Sequence, residues 1–390
     1  MKILIANKFY YNRGGDCIAS IALENLLKKK GHDVAFFSMQ HPKNLSSIWN
    51  SYFPSQVDFN SPGFTNKINA AFRIFHSSEV KLKFSKLLET FQPDIVHLNN
   101  IHSQISPIIG EIAHKKNIKV IWTLHDKKLI CPTYSCLRNG KPCELCFTHN
   151  QFDVIKHKCM KNSLTASLLA YFEALVWSKN RLITLTDYFI APSDFLKHLM
   201  IKGGFPETKI KVLPHFSDRY FSTIEEKKQE YYCYVGRLSE EKGVSTLVKV
   251  ANDLPYKLII VGDGPLKQAL LQQNKNIEFM GFREWNEMQD IIAKAKFLIS
   301  PSECYEVFGL SNIEALSLGT PVLGANIGGI PELINEHNGM LFEAGNANDM
   351  REKIEQMFNQ TYNYTDICTA AREKYSAESY YRKLIEIYEQ

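Results

Sequence analysis

Short runs of consecutive apolar residues alternate along this chain with longer stretches in which apolar positions recur every three or four residues. The first run, KILIA, leads through a polar loop to Ile18, Ile21, Ala22 and Leu26 at helical spacing, then to Gly31 and the run DVAFF. That is a strand, a helix and a strand. The alternation continues through DIVHL (94–98), a helical stretch near 104–116, KVIWTL (119–124), a long helical stretch near 162–184 and YFIAP (188–192). It starts again with YYCYVGR (231–237), a helix after Gly243, YKLIIVG (256–262), a helix after Pro265, IEFMG (277–281), a helix near 285–294 and FLISP (297–301). Strands that read as continuous apolar runs between helices predict parallel sheets covered on both faces. The expected fold class is α/β, with two doubly wound domains, 1–215 and 216–374, joined through the polar, aperiodic stretch Phe216–Glu230. A helical pattern near 367–390 closes the chain, and its last part, about 375–390, is expected to pack back on the first domain. In open parallel sheets ligands bind at the carboxyl ends of the strands, so the expected site is the cleft between the two domains.

Composition narrows the classes. A chain of 390 residues with 45% hydrophobic and 22% charged residues is neither disordered nor a coiled coil. Its longest apolar stretch, Leu164 to Trp177, is too short to cross a bilayer and carries Glu173. The opening residues do not read as a signal peptide, and the expected location is the cytoplasm.

The net charge of +5 conceals two unlike halves: residues 1–215 hold 28 Lys+Arg against 15 Asp+Glu, and residues 216–390 hold 18 against 26. A basic half predicts an anionic partner. No nucleic-acid-binding motif is present, which leaves a phosphorylated substrate or an anionic membrane surface. In the segment Lys67–Phe91, Ile68, Ala71, Phe72 and Phe75 fall at helical spacing beside Lys81, Lys83 and Lys86. One apolar and one basic face predict peripheral docking on the inner face of the plasma membrane; packing of the same apolar residues on the sheet is the competing expectation.

The candidate chemistry follows strands. In Pro301–Ile334 a loop carrying Glu303 and Glu306 leads into a helix opened by Gly309 and carrying Glu314. Eight helical residues would separate the two glutamates by about 12 Å. That roughly matches the reach from sugar to ribose in a nucleoside-diphosphate sugar, with the positive end of a helix between them for the diphosphate. Arg237 and Lys242, in GRLSEEKG (236–243), follow another strand, where they can meet the same diphosphate and neutralise a departing one. A solvated turn with ion pairs to Glu240 or Glu241 is the alternative. Gly14 and Gly15 follow the first strand and allow close backbone approach, without the G-x-G-x-x-G fingerprint of dinucleotide binding. His125 and Asp126 follow KVIWTL and face the expected cleft.

Nine cysteines without an export signal argue against a disulfide framework. Five of them cluster as C-x(4)-C-x(6)-C-x-x-C-x(12)-C, with His149 and His157 interspersed. Cys143 and Cys146 have the spacing of a zinc knuckle that Cys131 and Cys159 can complete as a structural zinc site. A reduced thiol-rich loop and a redox-sensing or disulfide-forming one are the alternatives.

The segments PSECYEVFGLSNIEALSLGTPV and GRLSEEKG together resemble glycosyltransferase family 4, the retaining group 1 enzymes of the GT-B fold, in which two Rossmann-like domains face a central cleft. The resemblance covers most of the chain. It implies that Arg237 and Lys242 bind the donor diphosphate, Glu306 the hydroxyls of the transferred sugar and Glu314 the ribose. The backbone of Phe308, Gly309 and Leu310 would cap the phosphates, Gly262 would lie near the base, Gly15 would approach the donor, and His125 would contact the reacting sugar. The implied catalytic set is His125, Glu306, Arg237 and Lys242.

The implied reaction is transfer of a hexosyl or N-acetylhexosaminyl group from a nucleoside-diphosphate sugar to a hydroxyl of a glycan or lipid-linked acceptor, in biosynthesis of a capsule, O-antigen or lipopolysaccharide. Anomeric configuration would be retained by front-face attack, the leaving phosphate taking the acceptor's proton. The glutamate spacing is too wide for the carboxylate pair of a retaining hydrolase, about 5 Å apart. No D-x-D occurs, so no metal or other cofactor is expected in the chemistry. The alternatives are a non-hydrolysing sugar-nucleotide epimerase and a non-catalytic nucleotide-sugar-binding scaffold.

Overall fold

The computed structural model describes residues 1–57, 77–148, 151–217, 225, 227–271 and 276–390. Lys2–Ala6 (β1) holds four successive apolar residues, Ile3 to Ala6, all at 0% exposure, as a strand covered on both faces must. It lies in a six-stranded parallel sheet. Asp33–Phe37 (β2) flanks it on one side, and Ile95–Leu98 (β3), Lys119–Thr123 (β4), Tyr188–Ala191 (β5) and Ile210–Val212 (β6) follow in order on the other.

Successive side chains leave the strands on opposite faces. Leu4, Val96, Val120 and Trp122 pack with Phe84 and Ile109 from helices Ser78–Phe91 and Ile108–Lys115. Ile3, Ile5, Ile95 and Ile121 pack with Leu23 and Leu27 of helix Gly15–Lys29 and with Leu384, Ile387 and Tyr388 of helix Ala377–Glu389. The last helix of the chain thus completes the first domain. Lys119 Nζ donates to the Tyr388 carbonyl at 2.8 Å, and buried His97 on β3 lies 2.5 Å from the Tyr388 hydroxyl.

The second sheet is also parallel and six-stranded, in the order Ile277–Gly281 (β9), Lys257–Val261 (β8), Tyr231–Val235 (β7), Leu298–Ser300 (β10), Val322–Ala325 (β11) and Gly339–Phe342 (β12). Tyr232, Phe297 and Phe358 anchor its core, with Tyr256 stacked on Phe358 at 3.8 Å. In each sheet the strand order reverses beside the first strand of the domain, between β1 and β3 and between β7 and β10. Loops leaving the carboxyl ends at such a reversal diverge and open a crevice.

Several elements differ from the periodicity reading. The stretch near 162–184 is two helices, Leu164–Val176 and Lys179–Leu185, because the chain turns at Ser178 while Trp177 is buried under Arg181. The closing pattern is likewise two helices, Tyr364–Lys374 and Ala377–Glu389, separated where Ser376 accepts from the Ser379 backbone N–H as a cap. The helix after Pro265 is a single turn, Lys267–Leu270.

Ile68, Ala71, Phe72 and Phe75 of the expected docking segment lie outside the described residues, as does part of the connecting stretch after Ser217. Helix Ser78–Phe91, which carries Lys81, Lys83 and Lys86, turns Val80, Phe84, Leu87, Leu88 and Phe91 into the core, and Lys83 Nζ donates to the Phe53 carbonyl at 2.6 Å. Among the described residues no helix is long and apolar enough to cross a membrane.

Candidate functional site

Two glycines bring neighbouring loops onto the loop after β10, Gly243 from the loop after β7 and Gly328 from the loop after β11. Gly243, at φ +68°, ends the 3-10 turn Glu240–Lys242, and a Cβ there would stand 1.9 Å from the Pro301 carbonyl oxygen. Gly328, at φ +65°, lies against Glu306, where a Cβ would stand 2.4 Å from its backbone nitrogen. Only a residue without a side chain permits either approach. The result is that Lys242 Nζ donates to Glu306 Oε1, the oxygen that also accepts from Ser302 Oγ at 2.6 Å.

The two side chains are 31% and 16% exposed, at the edge of the cleft. Burial alone would raise the Glu306 pKa, but the Lys242 charge and the hydrogen bonds from Lys242 and Ser302 outweigh it and hold the carboxyl below its usual value. For Lys242, burial would lower the pKa; Glu306 outweighs it and holds the ammonium above its usual value. Both groups are therefore charged at neutral pH.

Helix Leu310–Ser317 begins behind Gly309 (φ +107°), which supplies no side-chain cap, so its first N–H groups stay available to an anion. Glu306 precedes this helix in the loop while Glu314 lies on it, 9% exposed. The separation expected for a continuous helix therefore does not apply, because Gly309 breaks the path. Phe308 is buried, and Leu310 Cδ1 would lie 3.2 Å from a Cβ on Gly15, so the start of helix Gly15–Lys29 in the first domain abuts helix Leu310–Ser317. Gly262 packs on the Gly236 carbonyl. Arg237 is exposed; its backbone carbonyl accepts from the Tyr234 hydroxyl at 2.8 Å, and its guanidinium has no hydrogen-bond or ion-pair partner among the described residues, Glu240 and Glu241 accepting from Ser245 and Ser239 instead.

His125 leaves β4 on the opposite wall. Its Nε2 is 2.9 Å from Asn99 Oδ1, and its ring stacks on that of His215 at 5.3 Å and 10°. His215 in turn meets Phe308 edge-on at 5.6 Å, linking the two domains through three rings. Burial depresses the pKa of His125, and burial followed by the neighbouring His125 takes His215 down to about 3. Asp126 stays ionised: burial would raise it, but His102 and Lys8 outweigh that. His215 and Asn99 carried no motif in the sequence; the usable signal was that each closely follows a strand at its carboxyl end.

The loop bearing Glu306 is pinned from both sides. Lys127 Nζ donates to the Tyr305 carbonyl at 2.7 Å and Ser193 Oγ to the Val307 carbonyl at 2.6 Å. Glu332 accepts from the backbone N–H groups of Asp194 and Phe195 at 2.9 and 2.5 Å. Four sequence-predicted residues of the second domain, Lys242, Glu306, Gly309 and Glu314, thus gather around the start of one helix, and Gly15 meets that helix from the first domain.

All nine cysteines are free thiols, and Cys131 and Cys146 are buried while Cys143 and Cys159 are partly so. Among the described residues no three His, Cys, Asp or Glu side chains stand grouped closely enough to hold a metal ion, while Cys131, Cys159 and Cys143 all lie near enough to Cys146 for their charges to add to the effect of burial in raising its pKa. Hydrogen bonds from Cys136 and Thr133, the latter's Oγ1 lying 3.3 Å from Cys131 Sγ, favour the Cys131 thiolate and outweigh burial, bringing its pKa to about 6. His149 lies outside the described residues.

Two family models tile the chain: Glycosyltransferase Family 4 matches residues 21–219 and Glycosyl transferases group 1 matches residues 217–374. The chain is 24% identical over 406 residues to N-acetyl-alpha-D-glucosaminyl L-malate synthase of Bacillus anthracis, covering 100% of this chain and 96% of that protein. It is 25% identical over 351 residues to an uncharacterized 42.6 kDa protein in the cps region of Klebsiella pneumoniae, covering 85% and 87%. The structure of Anabaena Alr3699/HepE in complex with UDP-glucose superposes with a TM-score of 0.67 at 18% identity, over 99% of each chain.

Proposed function

The chain belongs to glycosyltransferase family 4, and we propose that it transfers a sugar from a nucleoside-diphosphate donor to a hydroxyl of a glycan or lipid-linked acceptor with retention of anomeric configuration. The observation that carries this reading is the Lys242–Glu306 pair, two loops' charged side chains joined beside the uncapped helix start at Gly309 and Leu310. Lys242 and Arg237 supply positive charge to the diphosphate, and the helix N–H groups cap its oxygens. Stabilisation then grows as the sugar–oxygen bond breaks and charge moves onto the leaving phosphate. That phosphate takes the proton of the acceptor hydroxyl as its oxygen bonds to the anomeric carbon, so atoms and charge balance without a further base. Glu306 accepts hydrogen bonds from hydroxyls of the transferred sugar, Glu314 from the ribose, and His125 faces the reacting sugar from the other wall.

A surface polysaccharide is the acceptor class we favour, supported by the cps-region relative. A hexosyl or N-acetylhexosaminyl group is the group transferred, the latter supported by the name of the Bacillus anthracis relative. The test is a screen of UDP-, GDP- and ADP-sugars for thermal stabilisation and nucleoside-diphosphate release, since a ligand held by the folded state raises stability by mass action. An epimerase would instead convert the sugar without needing an acceptor.

A further inference from the structure

Between the two domains lies a pocket whose lining includes Asn99, Thr123, His125, His215, Leu310 and Glu314. Asn99 follows β3 at the strand reversal of the first sheet and is 2% exposed. Its backbone N–H donates to the Ala6 carbonyl at 2.9 Å, and its carbonyl accepts from Trp122 Nε1 at 2.9 Å. Its Oδ1 faces His125 Nε2 at 2.9 Å. The remaining group, the buried Nδ2, has no hydrogen-bond partner among the described residues.

Of the residues lining this pocket, Asn99 alone carries such an atom among those described. Buried amide groups without a partner are rare, because folding strips their water and gives nothing back. One that lines a ligand cleft is a donor kept for what enters it. With Nε2–H of His125 donating to Oδ1, the amide is fixed with its NH2 still unpartnered, and the imidazole keeps Nδ1 as an acceptor. Neighbouring donor and acceptor functions, rigidly linked and shielded from water, suit a polyhydroxylated ring, whose hydroxyls both give and accept hydrogen bonds.

We propose that Asn99 is a sugar-reading residue, donating from Nδ2 to a hydroxyl oxygen of a pyranose in the cleft while its Oδ1 orients His125 toward the same ring. The inference rests on the transferase reading above. The pyranose belongs either to the donor or to the acceptor, and the same residue chemistry serves both.

The test uses the full chain with Asn99→Ala and Asn99→Asp, first confirmed to unfold at the wild-type temperature. Calorimetry compares binding of the free nucleoside diphosphate with binding of the intact nucleotide sugar that best stabilises the wild type, and kinetics give the acceptor KM. Loss of one hydrogen bond predicts about a ten-fold effect. For a donor sugar, Asn99→Ala weakens the nucleotide sugar about ten-fold and leaves the free diphosphate within two-fold. For an acceptor sugar, both nucleotides bind as in the wild type and the acceptor KM rises by that factor. Unchanged binding and unchanged KM in both variants, or equal loss for the free diphosphate and the nucleotide sugar, overturns the assignment of Asn99 alone. A wild-type chain that binds no nucleotide sugar overturns the transferase reading, and this assignment with it.

Discussion

Lys242 and Glu306, 64 residues apart in sequence, meet as a hydrogen-bonded ion pair where the loops after two neighbouring strands touch. The contact is a consequence of backbone shape before it is one of charge: Gly243 lets its loop reach Pro301, and Gly328 lets another backbone lie on Glu306. Desolvation opposes each charge, and the partner's proximity outweighs it. The pair holds a fixed positive and a fixed negative group at the cleft, the charges that the proposed diphosphate and sugar would meet.

The pair should be insensitive to pH over a broad range. Because the Glu306 pKa is lowered in the folded chain, its stabilising share is complete above its ordinary 4.5 and is lost as pH falls through the depressed value. Because the Lys242 pKa is raised, its share is complete below its ordinary 10.5 and is lost as pH rises through the elevated one. His125 and His215 are neutral at pH 7 because burial lowers both. The rate of diphosphate release measured from about pH 6 to pH 8 should be flat. A step near 6.5 that disappears in His125→Ala would show that an imidazolium takes part.

His215 should act by shape. Its ring stacks on His125 and meets Phe308 edge-on, so His215→Ala removes the bridge between the two walls. Turnover in that variant should fall about ten-fold or more with donor KM nearly unchanged, and His215→Phe, which restores a stacking ring, should recover most of the loss. Recovery by His215→Gln but not by His215→Phe would assign the role to a hydrogen bond instead.

The closing helix should be required for the first domain. Leu384 is wholly buried against that sheet, and Leu384→Ala should cost about 2–5 kcal/mol in a denaturant titration. A cost below about 0.5 kcal/mol, usual for surface positions, would mean that the helix merely rests there.

The two sheets were legible because most of their strands are buried on both faces and so read as unbroken apolar runs, the edge strand Ile277–Gly281 being the exception. β6 was not, since only Ile210 of its three residues is fully buried, and neither Gly339–Phe342 nor Ala347–Asn359 stood out. Helix breaks at Ser178 and Ser376 were hidden because apolar spacing runs on through both. At the site, charged residues after strands pointed to Lys242, Glu306 and Glu314. Asn99 and His215 escaped because uncharged polar and lone histidine side chains acquire meaning only from what surrounds them. The cysteine spacing pointed to Cys131, Cys143, Cys146 and Cys159, which lie near one another in the fold, while the nearness of Cys136 to Cys131 had no signal in that spacing.

Chelation separates chemistry from any metal held by those cysteines. We expect initial rates of sugar transfer to be unchanged by EDTA, with cationic side chains and a helix start serving the diphosphate. Activity lost with the fold intact and restored by magnesium or manganese would contradict this, and elemental analysis of the purified chain reports zinc independently.

The most direct test of the account is release of nucleoside diphosphate from a panel of UDP-, GDP- and ADP-sugars, run side by side on the wild type, Lys242→Ala and Glu306→Gln. One donor class should be turned over by the wild type. Each variant should be slower by about 100-fold or more, near 3 kcal/mol of lost transition-state stabilisation, with the fold retained by circular dichroism. Turnover by Lys242→Ala at the wild-type rate, or no binding and no turnover of any nucleotide sugar by the wild type, would contradict it.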